Sequence, residues 1–264
     1  MIPLLIPILF ALHQVFVRIG SQKTDLNNGI FLSLLVSTVL LSPSTLKPTF
    51  NLYFISAMLF AGFLHFFIAR VCFYNSIKRV GANVASTLSA TRTFFAIIFG
   101  FFVGEEIKVE IVLMAFLIFF GVLLLYEPKG KFDLFGYLLA ISTAIFSASS
   151  SFFVKFALQI DKNPFFGAFL GFLLSTTLMV PFIKKIELNK WFALAGVFVT
   201  LGHLVRYLSL ENYPVILVEP ITSSYPLFTI LFSYFLAKEL EIFSFRIVFG
   251  ATMVVLGISL YFFL

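Results

Sequence analysis

The chain reads as an all-α membrane protein of ten transmembrane helices arranged as two inverted five-helix repeats. Three observations carry that reading. First, 61% of the 264 residues are hydrophobic and only 11% are charged, against about 45–50% and about 25% in soluble domains. No soluble core hides that much apolar surface. Second, turn signals cut the sequence into ten apolar runs, most of them near the roughly 20 residues that a spanning helix needs. Third, the segment from Tyr207 to Leu236 repeats an earlier one from Tyr74 to Val103. An offset of 133 places Tyr207 on Tyr74, Ser209 on Ser76, Leu210 on Ile77, Leu217 on Val84 and Glu239 on Glu106. That offset is close to half the chain, which marks an internal duplication.

The ten predicted spans are 2–20, 26–43, 52–77, 82–103, 109–126, 132–157, 164–183, 190–210, 214–236 and 243–263. The first has no basic residue before its apolar run and no small-residue cleavage site, so it reads as a mature helix rather than a signal peptide. The second is short, and a short span sits obliquely or distorts locally. Asn27-Asn28-Gly29, Ser42-Pro43-Ser44, Gly81, Glu105-Glu106, Pro128-Lys129-Gly130, Asn163-Pro164, Glu211-Asn212 and Pro214 punctuate the runs. Pro220 lacks an amide donor and is expected to kink the ninth span. The connecting loops are too short for a soluble domain. The 39 phenylalanines read as lipid-facing filler.

Five helices per half is an odd number, so the second half (128–264) enters the membrane from the side opposite to the first (1–127). Inverted repeats of this kind recur in transporters, with the substrate site near the midplane where the repeats meet. If the halves pack in slightly different conformations, exchanging those conformations turns an inward opening into an outward one.

Some residues recur at matching places in both copies. Arg18 and Lys155 close the first helix of each half, in Phe16-Val17-Arg18 and Phe153-Val154-Lys155. Pro226 stands thirteen residues before Glu239, and Gly250 and Gly257 follow. The first half keeps Glu106 and Gly121 but has Thr93 where the second has Pro226. On these residues the chain resembles EamA-type members of the drug/metabolite transporter superfamily over nearly its whole length. The resemblance implies a ten-helix fold in the cell (inner) membrane, a cavity-lining fourth helix and export of amino acids or related metabolites. Gly121, Gly250 and Gly257 read as helix-packing positions.

Charges inside the spans are the functional clue. Of 18 Lys and Arg, 15 fall in loops or at helix ends and three, Arg70, Arg92 and Arg206, lie well within spans; Glu219 is the one acid clearly inside. Such charges cost at least about 2.5–3.5 kcal/mol and mark a pathway or a protein-lined cavity. Arg92 reads either as a contact for an anionic substrate or as a structural Arg bonded to one carboxylate. Glu219 reads as a salt-bridge partner, a proton-coupling site or an interfacial residue. His13, His65 and His203 fall mid-span and serve either as hydrogen-bonded interior residues or in substrate contact and protonation. Their spacing excludes a zinc site. His203, Arg206 and Tyr207 share one helix face at i, i+3 and i+4, as do Arg70 and Tyr74 at i, i+4. By the offset, Arg70 matches His203. The expected substrate-binding set is Arg92, His13, His65, Arg70, Tyr74, His203, Arg206, Tyr207 and Tyr225, with Glu219 as the proton-coupling candidate. Ser142, Thr143, Ser147, Ser149, Ser150 and Ser151 on the sixth span serve close packing or line the cavity.

These groups are net basic and suit a carboxylate or phosphate. Nothing resembles a catalytic, metal or cofactor site. The single cysteine, Cys72, excludes an intramolecular disulfide. The absence of a Lys/Arg run argues against nucleic acid as a partner. The expected partners are a small, possibly anionic molecule and the bilayer, with the chain as monomer or dimer. No Walker-type phosphate loop is present, so energy comes from a gradient or from the substrate itself. A secondary transporter leads. A lipid or lipid-linked carrier flippase follows, favoured by the three arginines, and then an intramembrane lipid-modifying enzyme, disfavoured by the isolation of Glu219. Loops on one side carry about eleven Lys/Arg against about four on the other, which places both termini outside by the positive-inside rule. The family resemblance places them in the cytoplasm.

Overall fold

The computed structural model describes residues 4–102, 116–117, 120–121, 124, 133–213 and 215–263. The predicted fifth span lies almost wholly outside the described residues, as do Glu105 and Glu106. Every regular element among the described residues is helical. By length and composition, five helices are long and apolar enough to cross a membrane, and three shorter apolar helices accompany them.

The first half contains α1 (Leu5–Gly20), α2 (Leu26–Leu41), α3 (Leu52–Gly62), α4 (Arg70–Ala90) and α5 (Arg92–Phe102). The second contains α6 (Leu134–Ile160), α7 (Pro164–Met179), α8 (Lys190–Asn212), α9 (Val215–Thr222), α10 (Tyr225–Leu236) and α11 (Phe245–Phe263). Short polar side chains start many of them. Asp25, Asn51, Asp133, Asn163 and Asn189 accept bonds from the first free amides of α2, α3, α6, α7 and α8, groups that have no partner within their own helix.

Five backbone features bear on the sequence reading. The short second span ends in a 3₁₀ turn at Ser42–Leu46. The third is interrupted by a π-helical stretch, Phe63–Ala69, and α4 bends sharply at Gly81, whose φ of 85° suits a residue without Cβ. The turn expected at Glu211-Asn212 falls later, since α8 runs through Asn212. The kink expected at Pro220 also lies elsewhere. Helix α9 passes through Pro220, and the ninth span breaks at Ser223–Ser224 instead. Pro226 then sits in the first turn of α10, where its missing donor costs nothing.

Helix pairing is close to unchanged when the halves are exchanged. Helix α1 packs along α8, and its counterpart α6 packs along α3 and α4; α2 and α7 pack on each other. Backbones approach closely where side chains vanish: a Cβ on Gly62 would lie 2.3 Å from Gly171 Cα, and one on Gly121 would lie 2.7 Å from the Gly250 carbonyl. The packing role read for Gly121 and Gly250 is thus visible. Phenylalanine divides between two uses. Phe153, Phe156 and Phe235 are exposed, whereas Phe54, Phe66, Phe172 and Phe192 form the core, with Phe66 stacked on Phe172 at 3.9 Å.

Candidate functional site

The fourth and ninth spans both break at their centres. Thr91 (φ −61°, ψ −5°) separates α4 from α5, and Ser224 (φ −78°, ψ −2°) separates α9 from α10. These positions are related by the same offset of 133. A ψ near zero in place of about −42° interrupts the α-helical ladder and leaves backbone groups for side chains to satisfy. The two breaks are tied to each other. Thr93 donates to Ser223 Oγ at 2.8 Å, Arg92 Nε donates to the same oxygen at 3.3 Å, and Ser89 and Tyr225 share a hydrogen bond of 2.8 Å.

Glu219, one turn before the second break, is 1% exposed. Its Oε1 accepts from Arg206 Nη2 (2.6 Å), Arg206 Nε (3.1 Å) and Ser151 Oγ (3.1 Å). Its Oε2 lies 3.0 Å from Arg92 Nη2, an ion pair whose alignment falls short of a hydrogen bond. One buried carboxylate therefore faces two buried guanidiniums. An unpaired charge here would be far more costly than the pair.

Beside this cluster lies a cavity of about 60 Å³ lined from both halves. Seven of the nine residues expected to contact substrate line it: His13, His65, Arg70, Tyr74, Arg92, His203 and Tyr225. The other two stand behind it. Arg206 is fully buried against Glu219, and Tyr207 packs against His203, with ring centroids 6.2 Å apart. The pair matched by the repeat offset, Arg70 and His203, meets at this one centre.

Each histidine has its own setting. His13 Nδ1 bonds the Ala195 carbonyl at 3.0 Å, and His65 Nδ1 bonds Ser150 Oγ at 3.1 Å. His203 Nδ1 has no hydrogen-bond partner among the described residues, and its ring stands edge-on to His65 at 4.8 Å. On α6, Thr143 and Ser147 line the cavity while Ser150 and Ser151 bond site residues. That face serves the site as well as packing. Among the described residues, no three His, Cys, Asp or Glu side chains converge as a metal would require.

Sequence reasoning missed two contributors. Ser33 on α2 accepts from Tyr74 Oη at 2.9 Å and Arg70 Nη1 at 3.4 Å; a lone serine in an apolar run gives no signal. The π-helical stretch was also invisible. Its i→i+5 bonding brings residues five apart near to one line, so His65 and Arg70 face the same cavity, where an unbroken α-helix would splay them.

Taken together, the fold and site define a multi-pass helical membrane protein with a buried polar centre. The EamA-like transporter family matches residues 2–127 and again 134–263. The chain belongs to that family, as the sequence resemblance implied. A relative from Archaeoglobus fulgidus, described as an uncharacterized transporter, is 24% identical over 264 residues, covering 96% of this chain and 94% of the relative. A solved structure, titled only "Crystal structure of protein", is similar with a TM-score of 0.68 at 14% identity, covering 98% of this chain and 95% of its own. That likeness concerns the fold alone.

Proposed function

We propose that the chain is a secondary transporter, working as an exporter, that carries a small polar metabolite, amino acid or organic anion across the cell (inner) membrane by alternating access. The reading rests on one observation above all: the cavity sits at the seam between halves 1–127 and 128–264 and draws its lining from both. Support for ten spans in inverted repeats comes from the doubled family match, the exchangeable helix pairing and the two breaks at offset positions. Broken helices at mid-membrane are the usual way that transporters present polar groups to a substrate.

At about 60 Å³ the cavity holds a few waters, whereas metabolite sites occupy roughly 300–1,000 Å³. Loading therefore requires the halves to part on one side. Glu219 is the proton-coupling candidate on this reading. Protonating it would release Arg92 and Arg206 together and loosen the joint between the two breaks.

Reconstitution into proteoliposomes tests the function. Counterflow of labelled amino acids and organic acids, accelerated by a pH gradient and lost in Glu219→Gln, is the expected result. Flux equal to protein-free vesicles for every solute would refute it.

A further inference from the structure

Three guanidiniums are buried around the cavity, and they are not equivalent. Arg92 and Arg206 both pair with Glu219. Arg70 is 5% exposed and forms no ion pair among the described residues. Its one hydrogen bond among the described residues is the long contact to Ser33 Oγ at 3.4 Å. Three rings surround its guanidinium carbon: Phe172 at 5.3 Å, Phe66 at 5.8 Å and Tyr74 at 5.9 Å. Ring faces partly compensate a cation but cannot satisfy five N–H donors. The cavity opens beside it. Arg92, which the sequence marks as the leading anion contact, already donates Nε to Ser223 and has its charge paired with Glu219.

We infer that Arg70 is the anchor for a single carboxylate on the substrate, and that the site selects monocarboxylates with an apolar body over zwitterionic amino acids and over amines. The inference rests on the transporter reading and narrows its substrate class. A guanidinium fork held by aromatic walls accepts a planar carboxylate on two parallel bonds. The remaining walls include Phe10, Phe73 and Val199, which suit a branched hydrocarbon. An α-ammonium group finds no carboxylate among the described residues that line the cavity: Glu219 stands behind it, ion-paired with Arg92 and Arg206, and Arg70 repels a cation nearby. Charge balance agrees. Three buried guanidiniums against one buried carboxylate leave a positive excess, which an anionic ligand offsets.

A series with one carbon skeleton tests this with the full chain in detergent and in proteoliposomes. Isovalerate carries only the carboxylate, valine adds the α-ammonium, and isobutylamine keeps only the amine. Isovalerate is expected to raise the melting temperature and to be carried, with valine at least tenfold weaker and isobutylamine inert. Arg70→Ala should weaken isovalerate binding tenfold or more, Arg70→Lys should lose less, and Arg92→Lys should alter binding least. If Arg70→Ala fails to fold, Arg70→Lys with Ser33→Ala carries the comparison through the ratio of isovalerate to valine affinity, which should fall. Valine binding as tightly as isovalerate, or Arg70→Ala binding isovalerate unchanged, overturns the inference. Either result, together with continued flux of valine, leaves the transporter reading intact; absent flux of every solute strikes that reading instead.

Discussion

The two halves of the chain use the same backbone device and furnish it differently. Each breaks a helix at its centre, at Thr91 in the first and Ser224 in the second. In the first half the residue after the break is a cation, Arg92. In the second the charged residue precedes the break and is an acid, Glu219. The repeat partner of Glu219 is Ser86, and that of Arg206 is Phe73. The ion cluster that joins the halves is therefore not a product of the duplication; it belongs to what distinguishes the copies. The two breaks stand at positions related by the 133-residue offset, and residues that differ between those positions supply the attraction that joins them.

The helix ends show a second contrast. In the first half Arg18 donates to the carbonyls of Ile77 and Lys78 at the end of the third span and to Leu240, and it pairs with Glu241 at 2.9 Å. Glu241 in turn accepts from the amides of Ala82 and Asn83 just beyond the bend at Gly81. In the second half Lys155 donates to Leu210, the repeat partner of Ile77, and to Tyr213. The same carbonyl is capped in both halves. Among the described residues, only the first adds a carboxylate from across the seam, so that helix end is fastened more firmly than its counterpart.

Removing the acid from the central cluster should have the largest effect. Glu219→Ala leaves two buried guanidiniums without a partner and is expected to cost about 3–5 kcal/mol, read as a drop in thermal unfolding temperature in detergent. Glu219→Gln combined with Arg206→Met should recover part of that loss, since coupled residues are not additive; simple additivity would mean the cluster does not act as a unit. Next comes the pair of helix-end cations. Arg18→Ala should cost about 1.5–3 kcal/mol, in the range for bonds to charged groups, and should expose a cysteine placed at Ser21 to labelling. Lys155→Ala should cost less and leave Ser21 protected. Equal losses would erase the contrast between the helix ends. Ser223→Ala removes the oxygen shared by Arg92 and Thr93 and should cost about 1–3 kcal/mol; an unchanged unfolding temperature would show that the breaks are held by packing alone.

The smallest effect concerns the first helix of each half. Helix α6 is capped by Asp133, which accepts from the Gly136 amide at 2.9 Å and pairs with Arg79 at 2.8 Å, whereas α1 starts at Leu4 without a side-chain cap. Asp133→Ala should cost about 1 kcal/mol. The Gly136 amide, and then the Arg79 guanidinium, hold the Asp133 carboxyl below the usual carboxylate range. Its contribution is therefore complete above the unfolded-state pKa and lost as pH falls through the lower folded one. Asp133→Asn should flatten that acid limb of the stability curve; an unaltered limb would remove Asp133 from the account.

Much of the site was legible before any coordinates. Charged and imidazole side chains in apolar spans are expensive, so their presence alone marks a cavity, and seven of the nine expected contacts do line one. The i, i+3, i+4 face of α8 predicted that His203, Arg206 and Tyr207 would point inward together, and all three are buried. Other features left no local trace. Nothing adjacent in sequence says that Glu219 takes both Arg92 and Arg206, because the three come from different spans. The position of the ninth-span break was misjudged because proline is the obvious breaker. Helix α9 accommodates Pro220, and the break falls on Ser223, whose partners Arg92 and Thr93 lie on α5, and on Ser224, which donates back to the Ile221 carbonyl.

Hydrophobicity and span length by themselves pointed to a helical chain in the membrane, and the family model matches residues 2–127 and 134–263 in turn. Those properties are sums over many residues, each contributing a little in the same direction. Which arginine is neutralised and which is left facing the cavity was decided only by the folded arrangement. That outcome depends on distances of a few ångströms between side chains on different spans, and on a π-helical stretch that turns Arg70 into line with His65. Coulomb energies in a dry interior are too sensitive to such distances for composition or spacing to fix them.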